Sequence, residues 1–272
     1  MQSAQTRLSV LKQKSEHDQN YEFNRLYRNF FNPDFYMRAY QSLQSKQGNH
    51  SPGVDNQTID GFSQKTIQTL ITQLKAECYH PKPNRRKHIP KKRNKTQTRP
   101  LGIPCFNDKV VQEIIREILE VIYEPFFCET SHGFRPNHSC QTALYQIKTK
   151  CCATTWVVEG DIAKFFDTID HDMLLTLLAK KINDGRFLGL IERFLKAGYF
   201  EFHVMHNSLS GTPQGSGVSP ILANIYLHEL GKYCAELSKQ YTQGKARKRN
   251  PQYQTLFAKR RWALKNNKKE KA

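Results

Sequence analysis

The stretch Trp156-Val157-Val158-Glu159-Gly160-Asp161-Ile162-Ala163-Lys164-Phe165-Phe166-Asp167-Thr168-Ile169-Asp170-His171 decides the fold. It reads as a short, buried apolar strand that ends on a carboxylate, followed by two aromatics and the start of a helix. Gly160 leaves room for a close approach beside Asp161. A hard cation such as Mg2+ takes one or two carboxylates plus substrate phosphates, so an acid on a rigid strand end suits phosphoryl transfer. The same residues also describe a solvated acid at a turn. Asp167 and Asp170 fall where an N-cap and a first helical turn belong, ahead of Met173 to Ile182, and capping explains them more simply than metal ligation.

Around this stretch the chain is strongly basic. Its 272 residues carry a formal charge of +18, and the excess sits in two blocks. Nine cations and no acid lie between Lys82 and Arg99, among them Arg85, Arg86, Lys91, Lys92 and Arg93; eleven more cations and one acid lie between Lys245 and Lys271. Such blocks imply an anionic polymer as partner, because each neutralised phosphate releases condensed counterions. A solubilising surface is the plainer alternative. No apolar run reaches the length of a membrane span and the N-terminus lacks a signal-peptide core, so no membrane partner and a cytoplasmic location are expected. Seven cysteines, an odd number with no Cys-x-x-Cys, fit reduced thiols better than a disulfide or zinc framework.

Residues 1–20 are polar apart from Leu8, Val10 and Leu11 and read as a loosely held helix or tail. Aromatic and aliphatic residues recur at helical spacing from Tyr21 to Leu43, with Asn32-Pro33-Asp34 as the break between two helices. Ser51-Pro52-Gly53 and Asp55-Asn56 carry turn chemistry ahead of a helix over 63–78. His88 to Lys91 and Arg99 to Pro104 predict two short strands flanking the polar loop Lys92 to Thr98, a hairpin that brings Lys91 and Arg99 together, a clamp suited to a triphosphate; a generic basic hairpin on RNA is the alternative. The apolar stripe from Val110 to Ile122 predicts an amphipathic scaffold helix. Arg135, in a compact turn, either takes phosphate or fastens its loop, and it is kept with the nucleic-acid contacts Arg85, Arg86, Lys92 and Arg93. Helices are expected over 172–183 and 187–197, then a strand from Gly198 to Val204. Leu209 to Pro220 is a Gly- and Pro-punctuated loop that lets backbone approach a ligand, with Gln214 offering an amide to a base edge or sugar. The last 30 residues predict a helical or disordered RNA-contacting tail.

In this order the motifs Ser51-Pro-Gly-Val-Asp55, Ile89-Pro-Lys91, Arg99-Pro-Leu-Gly-Ile-Pro104, Tyr123-Glu-Pro125, His132-Gly-Phe-Arg-Pro136, Gly160-Asp-Ile162 with Phe165 to His171, Thr212-Pro-Gln-Gly215 and Ser219-Pro with Ala223-Asn-Ile-Tyr226 resemble the reverse transcriptases of group II introns, also called intron maturases. The resemblance implies an α+β, right-hand polymerase: an N-terminal extension over 1–20, helix-rich fingers with a β-hairpin over 21–150, a partial palm with an antiparallel sheet over 151–237, and a basic insertion or tail over 238–272. It implies RNA-directed DNA polymerisation on an RNA template and DNA primer with dNTP, and binding to intron RNA. Asp161 would be the first catalytic aspartate and, with the main-chain carbonyl of Ile162, a ligand of Mg2+. Lys91 and Arg99 would meet the triphosphate, Phe166 would form the gate under the sugar, and Gln214 would lie near the nascent pair.

The chain also departs from that family. No Asp-Asp dipeptide occurs, whereas the family supplies further carboxylates from a downstream Tyr-x-Asp-Asp hairpin. The expectation is therefore an N-terminal part of a reverse transcriptase, weakly active or inactive alone. Ala163-Lys164 stands where the family commonly has Lys-Gly, and Ser216-Gly217 where Gly and an aliphatic residue are usual. A catalytically inactive RNA-binding fragment is the competing reading. A retron-type enzyme is disfavoured by Ser51 to Asp55, and a second copy of the chain, meeting through the surface a thumb would cover, stays open as a partner.

Overall fold

The computed structural model describes residues 2–90, 96–151, 154, 156–202, 204–208, 210–212, 215–241 and 250–266. The chain divides into two compact units, Met1–Gly231 and Lys232–Ala272. In the first, α1 (Ala4–His17) is followed by a 3-10 turn (Leu26–Phe31), α2 (Pro33–Gln44) and α3 (Gln64–Lys75). The hairpin β1 (Asn84–Pro90) and β2 (Thr98–Ile103) precedes α4 (Phe106–Tyr123) and α5 (Cys140–Lys150). Then come a short α6 (Phe165–Thr168), α7 (His171–Ala179), α8 (Gly185–Lys196), β3 (Tyr199–Glu201) and β4 (Val204–His206). Helix α9 (Ser219–Tyr241) runs from the first unit into the second, which also holds α10 (Pro251–Lys265).

Helix α4 is the axis of the first unit. Val110, Val111, Ile114, Ile115, Ile118, Leu119 and Ile122 are fully buried, and Glu113 and Glu117 are buried with them, while Arg116 and Glu120 stay partly exposed. Buried carboxylates are tolerated only when paired. Arg116 meets Glu113 at 2.9 Å, Ser42 Oγ donates to Glu113 at 2.6 Å, and Arg38 meets Glu117 at 2.9 Å. Helices α1 and α2 pack on α4. The N-terminal segment is thus not loosely held: Ala4, Leu8 and Leu11 are buried, and the Ser15 hydroxyl donates to the Ile122 carbonyl at 2.6 Å.

Local chemistry starts the helices where the sequence predicts them. Asn32 caps α2 with Pro33 in its first turn, Ser63 caps α3, and Asp184 caps α8, each supplying an acceptor to an otherwise unbonded N–H. The second oxygen of Asp184 accepts from the Tyr27 N–H at 2.9 Å, tying α8 to the aromatic core of Tyr27, Phe30, Phe35 and Tyr36.

The sheet order is β2-β1-β3-β4. Pairing is antiparallel in both hairpins and parallel where Asn84 and Arg85 meet Tyr199 and Phe200. The expected strand at Trp156 to Val158 is the main correction. Residues 156–161 belong to no strand or helix, and Trp156, Val157 and Val158 are 85%, 84% and 96% exposed. A strand exists through its neighbours, and no strand among the described residues offers this stretch an edge. Helix α5 likewise buries none of its residues, leaving Leu144, Tyr145 and Ile147 in solvent.

Candidate functional site

Three stretches far apart in sequence meet at a cleft of about 740 Å³. The hairpin supplies Asn84, Arg86, Thr98, Arg99, Pro100 and Gly102. The segment after Asp161 supplies Lys164 and Asp167, and β3 with the loop after β4 supplies Gly198, Tyr199, Asn207, Ser208, Ser210, Gly211 and Thr212.

Backbone bonds weld the second stretch to the third. Thr212 N–H donates to the Phe166 carbonyl at 2.6 Å, Gly211 N–H to the Ile169 carbonyl at 2.8 Å, and Ser210 Oγ to the Asp167 carbonyl at 3.2 Å. Gly211 has φ +83°, and a Cβ there would lie 2.7 Å from the Phe166 oxygen, so this position requires glycine. At Gly215 (φ +109°) a Cβ would stand 2.4 Å from the Gly102 oxygen of β2. The glycines expected to admit a ligand thus admit the protein's own backbone instead. Gln112 of α4 accepts from Ser216 Oγ at 3.0 Å and from Gly217 N–H at 3.1 Å, holding the loop against the scaffold. Nothing in the sequence marked Gln112, which sits on a helix read as scaffold.

Asp161 is exposed, and among the described residues its carboxylate has no hydrogen bond or ion pair. It precedes Lys164 by three residues, which span at most about 11 Å, so it lies within that reach of the cleft wall. Ile162 is also exposed, whereas Phe166 packs against the core and makes an edge contact with Phe165, centroids 5.7 Å apart. Lys164 takes φ 51°, ψ 35°, the left-handed conformation that glycine adopts without strain. The departure from Lys-Gly at this point therefore has a backbone cost. Asp170 caps α7, accepting from Met173 N–H at 2.7 Å; Asp167 does not cap and instead lines the cleft.

Arg99 stands opposite Ile89 in the hairpin register and faces the cleft with Lys164. Among the described residues neither has an ion pair. Lys91, Lys92, Arg93 and Gln214 lie outside the described residues, so the expected pairing of Lys91 with Arg99 is not addressed. Arg86 is held: its guanidinium lies 3.4 Å from the Tyr199 ring centroid and 3.6 Å from Glu201. His88 Nε2 bonds the same Glu201 at 2.5 Å and, with Arg86, holds that carboxyl below its usual range. Arg85 has its Nε buried without a hydrogen-bond partner.

Arg135 fastens its loop, the first-favoured of the two roles its compact turn allows. Its guanidinium, 6% exposed, bonds Glu124 at 2.9 Å and the carbonyls of Cys128 and Ser131 at 2.8 and 2.6 Å. With Nε also on Glu124, four of its five N–H donors are taken up by the loop.

The donor set does not complete a two-metal centre. Such a centre needs several carboxylates around both ions, and among the described residues no group of three or more His, Cys, Asp or Glu could hold a metal. Asp161 and the Ile162 carbonyl are one arm of such a site. Among the described residues no helix is long and apolar enough to cross a membrane, and the described cysteines are free.

A basic hairpin thus faces the segment that follows Asp161 across one cleft, with the loop at Gly211 bonded to that segment. The chain belongs to the reverse transcriptase (RNA-dependent DNA polymerase) family, whose model matches residues 89–243. More particularly, it is similar to the group II intron-encoded protein LtrA of Lactococcus lactis subsp. cremoris, 47% identical over 249 residues that cover 92% of this chain and 41% of LtrA. An uncharacterized 91 kDa protein in the cob intron of Schizosaccharomyces pombe is 44% identical over 237 residues, covering 86% of this chain and 29% of that protein. Among solved structures, a chain of a partial Cas6-RT-Cas1–Cas2 complex superposes with a TM-score of 0.48 at 23% identity, covering 79% of this chain and 35% of the other. The chain thus spans well under half the length of these relatives.

Proposed function

We propose that this chain carries the fingers (21–150) and part of the palm (151–237) of a group II intron RNA-directed DNA polymerase, flanked by an N-terminal extension and a basic segment, and that it works on RNA in the cytoplasm. The observation that supports this best is the cleft in which Arg99 faces the segment that begins at Asp161. In this reading Arg99, with Lys91, neutralises the triphosphate of the incoming dNTP. The Phe166 ring, anchored on the core, excludes a 2'-hydroxyl, and Gln214 meets the nascent pair. Asp161 and the Ile162 carbonyl would hold Mg2+, which activates the primer hydroxyl and neutralises the leaving pyrophosphate; the remaining carboxylates come from outside the described residues. Intron RNA and the template-primer duplex bind along the basic surfaces.

The test is a chimera in which residues 21–237 replace the matched segment of LtrA. It is expected to extend a DNA primer on an RNA template, and Asp161→Ala is expected to abolish extension while RNA binding survives. Extension undiminished by Asp161→Ala would overturn the assignment. One observation favours a second reading, an RNA-binding module without catalysis: Asp161 is exposed and, among the described residues, has no acidic company sufficient for a metal. Purified residues 1–272 that bind RNA with steep salt dependence and do not extend a primer fit that reading for the isolated chain.

A further inference from the structure

The turn that carries Phe166 cannot hold its shape alone. Helix α6 spans four residues, follows Lys164 in the left-handed region and has no side-chain cap, and a single helical turn is marginal in water. The carbonyls at a helix end lack partners within the helix. Here the loop after β4 takes them: Thr212 N–H donates to Phe166, Ser210 Oγ to Asp167 and Gly211 N–H to Ile169. The position of the Phe166 backbone is therefore inherited from Ser210 to Thr212.

That loop is held in turn by His171. The imidazole is 5% exposed, and its Nε2 lies 2.7 Å from the Gly211 carbonyl oxygen. A carbonyl only accepts, so Nε2 carries the proton and donates. Both backbone polar groups of Gly211 are thus committed to the segment after Asp161, the N–H to Ile169 and the carbonyl to His171. His171 cannot drift. It is the first residue of α7, which Asp170 caps and which the fully buried Leu174 and Leu178 anchor in the core. Without its donor the buried Gly211 carbonyl would be left unmet, and the loop would have to shift to find another. A chain of contacts therefore runs from the core through His171 and Gly211 to the backbone of Phe166.

We propose that His171 is a positioning residue for sugar selection: by donating to the Gly211 carbonyl it fixes the loop that fixes Phe166, and so sets how closely that ring approaches the 2' position of the incoming nucleotide. The inference rests on the polymerase reading, in which Phe166 is the gate, and adds to it the device that keeps the gate in place. His171 touches no substrate in this role. A gate excludes a hydroxyl by close contact, and a shift on the order of 1 Å is enough to change such a fit.

The experiment compares kcat/KM for dATP and ATP on a uridine template in the LtrA chimera. His171→Leu keeps most of the volume and removes the donor, while His171→Gln keeps an N–H close to where Nε2 stands. The leucine variant is expected to lower the dATP-over-ATP ratio by roughly tenfold, chiefly by raising kcat/KM for ATP, and the glutamine variant to return it to within about twofold of the wild type. A loss shared equally by both nucleotides is what a purely structural role predicts and overturns the proposal, as does an unchanged ratio in a folded His171→Leu. If that variant does not fold, Ser210→Ala decides. Ser210 is exposed and its bond to Asp167 belongs to the same clamp, so the ratio should fall in the same direction; a ratio left at the wild-type value overturns the proposal. In the 272-residue chain, amide hydrogen exchange reads the clamp without any activity: the Gly211 and Thr212 N–H groups should lose protection in His171→Leu and keep it in His171→Gln. Protection untouched by the leucine overturns the proposal too. A chimera that extends with neither nucleotide sinks the polymerase reading and this role with it, whereas one that extends with dATP but fails these comparisons sinks the role alone.

Discussion

The backbone N–H of Thr212 donates to the carbonyl of Phe166 across 2.6 Å, joining the loop before Gly215 to the segment after Asp161. That bond depends on Gly211 alongside it, whose positive φ brings the two backbones together. Gly211→Ala is expected to cost about 2 kcal/mol or more, through left-handed strain and the clash with Phe166. Gly217→Ala, whose Cβ would meet only Gln112 Oε1 at an ordinary contact distance of 4.0 Å, is the matched control and should change stability by less than ~1 kcal/mol. Urea denaturation of both variants checks this; equal losses would mean that the loop tolerates a side chain at Gly211.

Arg99 and Arg135 separate binding from architecture. Arg135→Ala leaves Glu124 and two carbonyls without donors and should cost about 3 kcal/mol, with the salt slope of RNA binding unchanged. Arg99→Ala should leave the melting temperature in place and reduce the slope of log affinity against log salt by roughly 1. Anisotropy titrations across a salt series, beside thermal melts, check both.

Lys164→Gly should stabilise the fold. Left-handed backbone costs a non-glycine residue roughly 1–2 kcal/mol, and the extra unfolded-state freedom of glycine offsets ~0.5–1 of it. The expected net gain is on the order of 0.5–1 kcal/mol, together with weaker RNA binding from the lost cation. A denaturation midpoint at or below that of the wild type would contradict the strain argument.

Asp108 ties stability to pH. It is buried beside Tyr79, whose hydroxyl bonds Oδ1, and Lys82, whose N–H bonds Oδ2 at 3.1 Å. Burial outweighs these bonds and pushes its carboxyl up from 3.8 to about 6. The folded chain therefore holds a proton that the unfolded chain releases. This contribution is fully present below about pH 4 and is lost as pH rises through about 6, a loss on the order of 3 kcal/mol. Asp108→Asn removes the titration, so the stability of the variant relative to the wild type should rise by that amount from pH 4 to pH 7. A difference that stays flat with pH would refute it.

Much of the scaffold was legible because it is periodic. The turn chemistry and apolar spacing over 63–78 predict the helix that appears as α3, since caps and apolar stripes act within one or two turns. Docking of α1 was not, because the acceptor of Ser15 lies 107 residues away on Ile122. Trp156 to Val158 have every strand propensity, yet a strand is defined by a neighbour rather than by its own side chains. Within the site, Arg99 could be placed from its hairpin, while Asn84, Thr212 and Gln112 carry no pattern: a cleft wall or a supporting amide emerges only when three distant stretches converge. Arg135 shows the converse, a cation in a basic chain whose partners all lie within eleven residues and consume it.

The bare Trp156-Val157-Val158 ribbon sets the terms on which this polypeptide can be handled. Large apolar side chains left in solvent invite the same surface of a second molecule, and the +18 charge is the force that keeps such molecules apart. Raising salt to strip nucleic acid during purification weakens that repulsion, so the buffer that cleans the protein is also the one in which it should begin to clump.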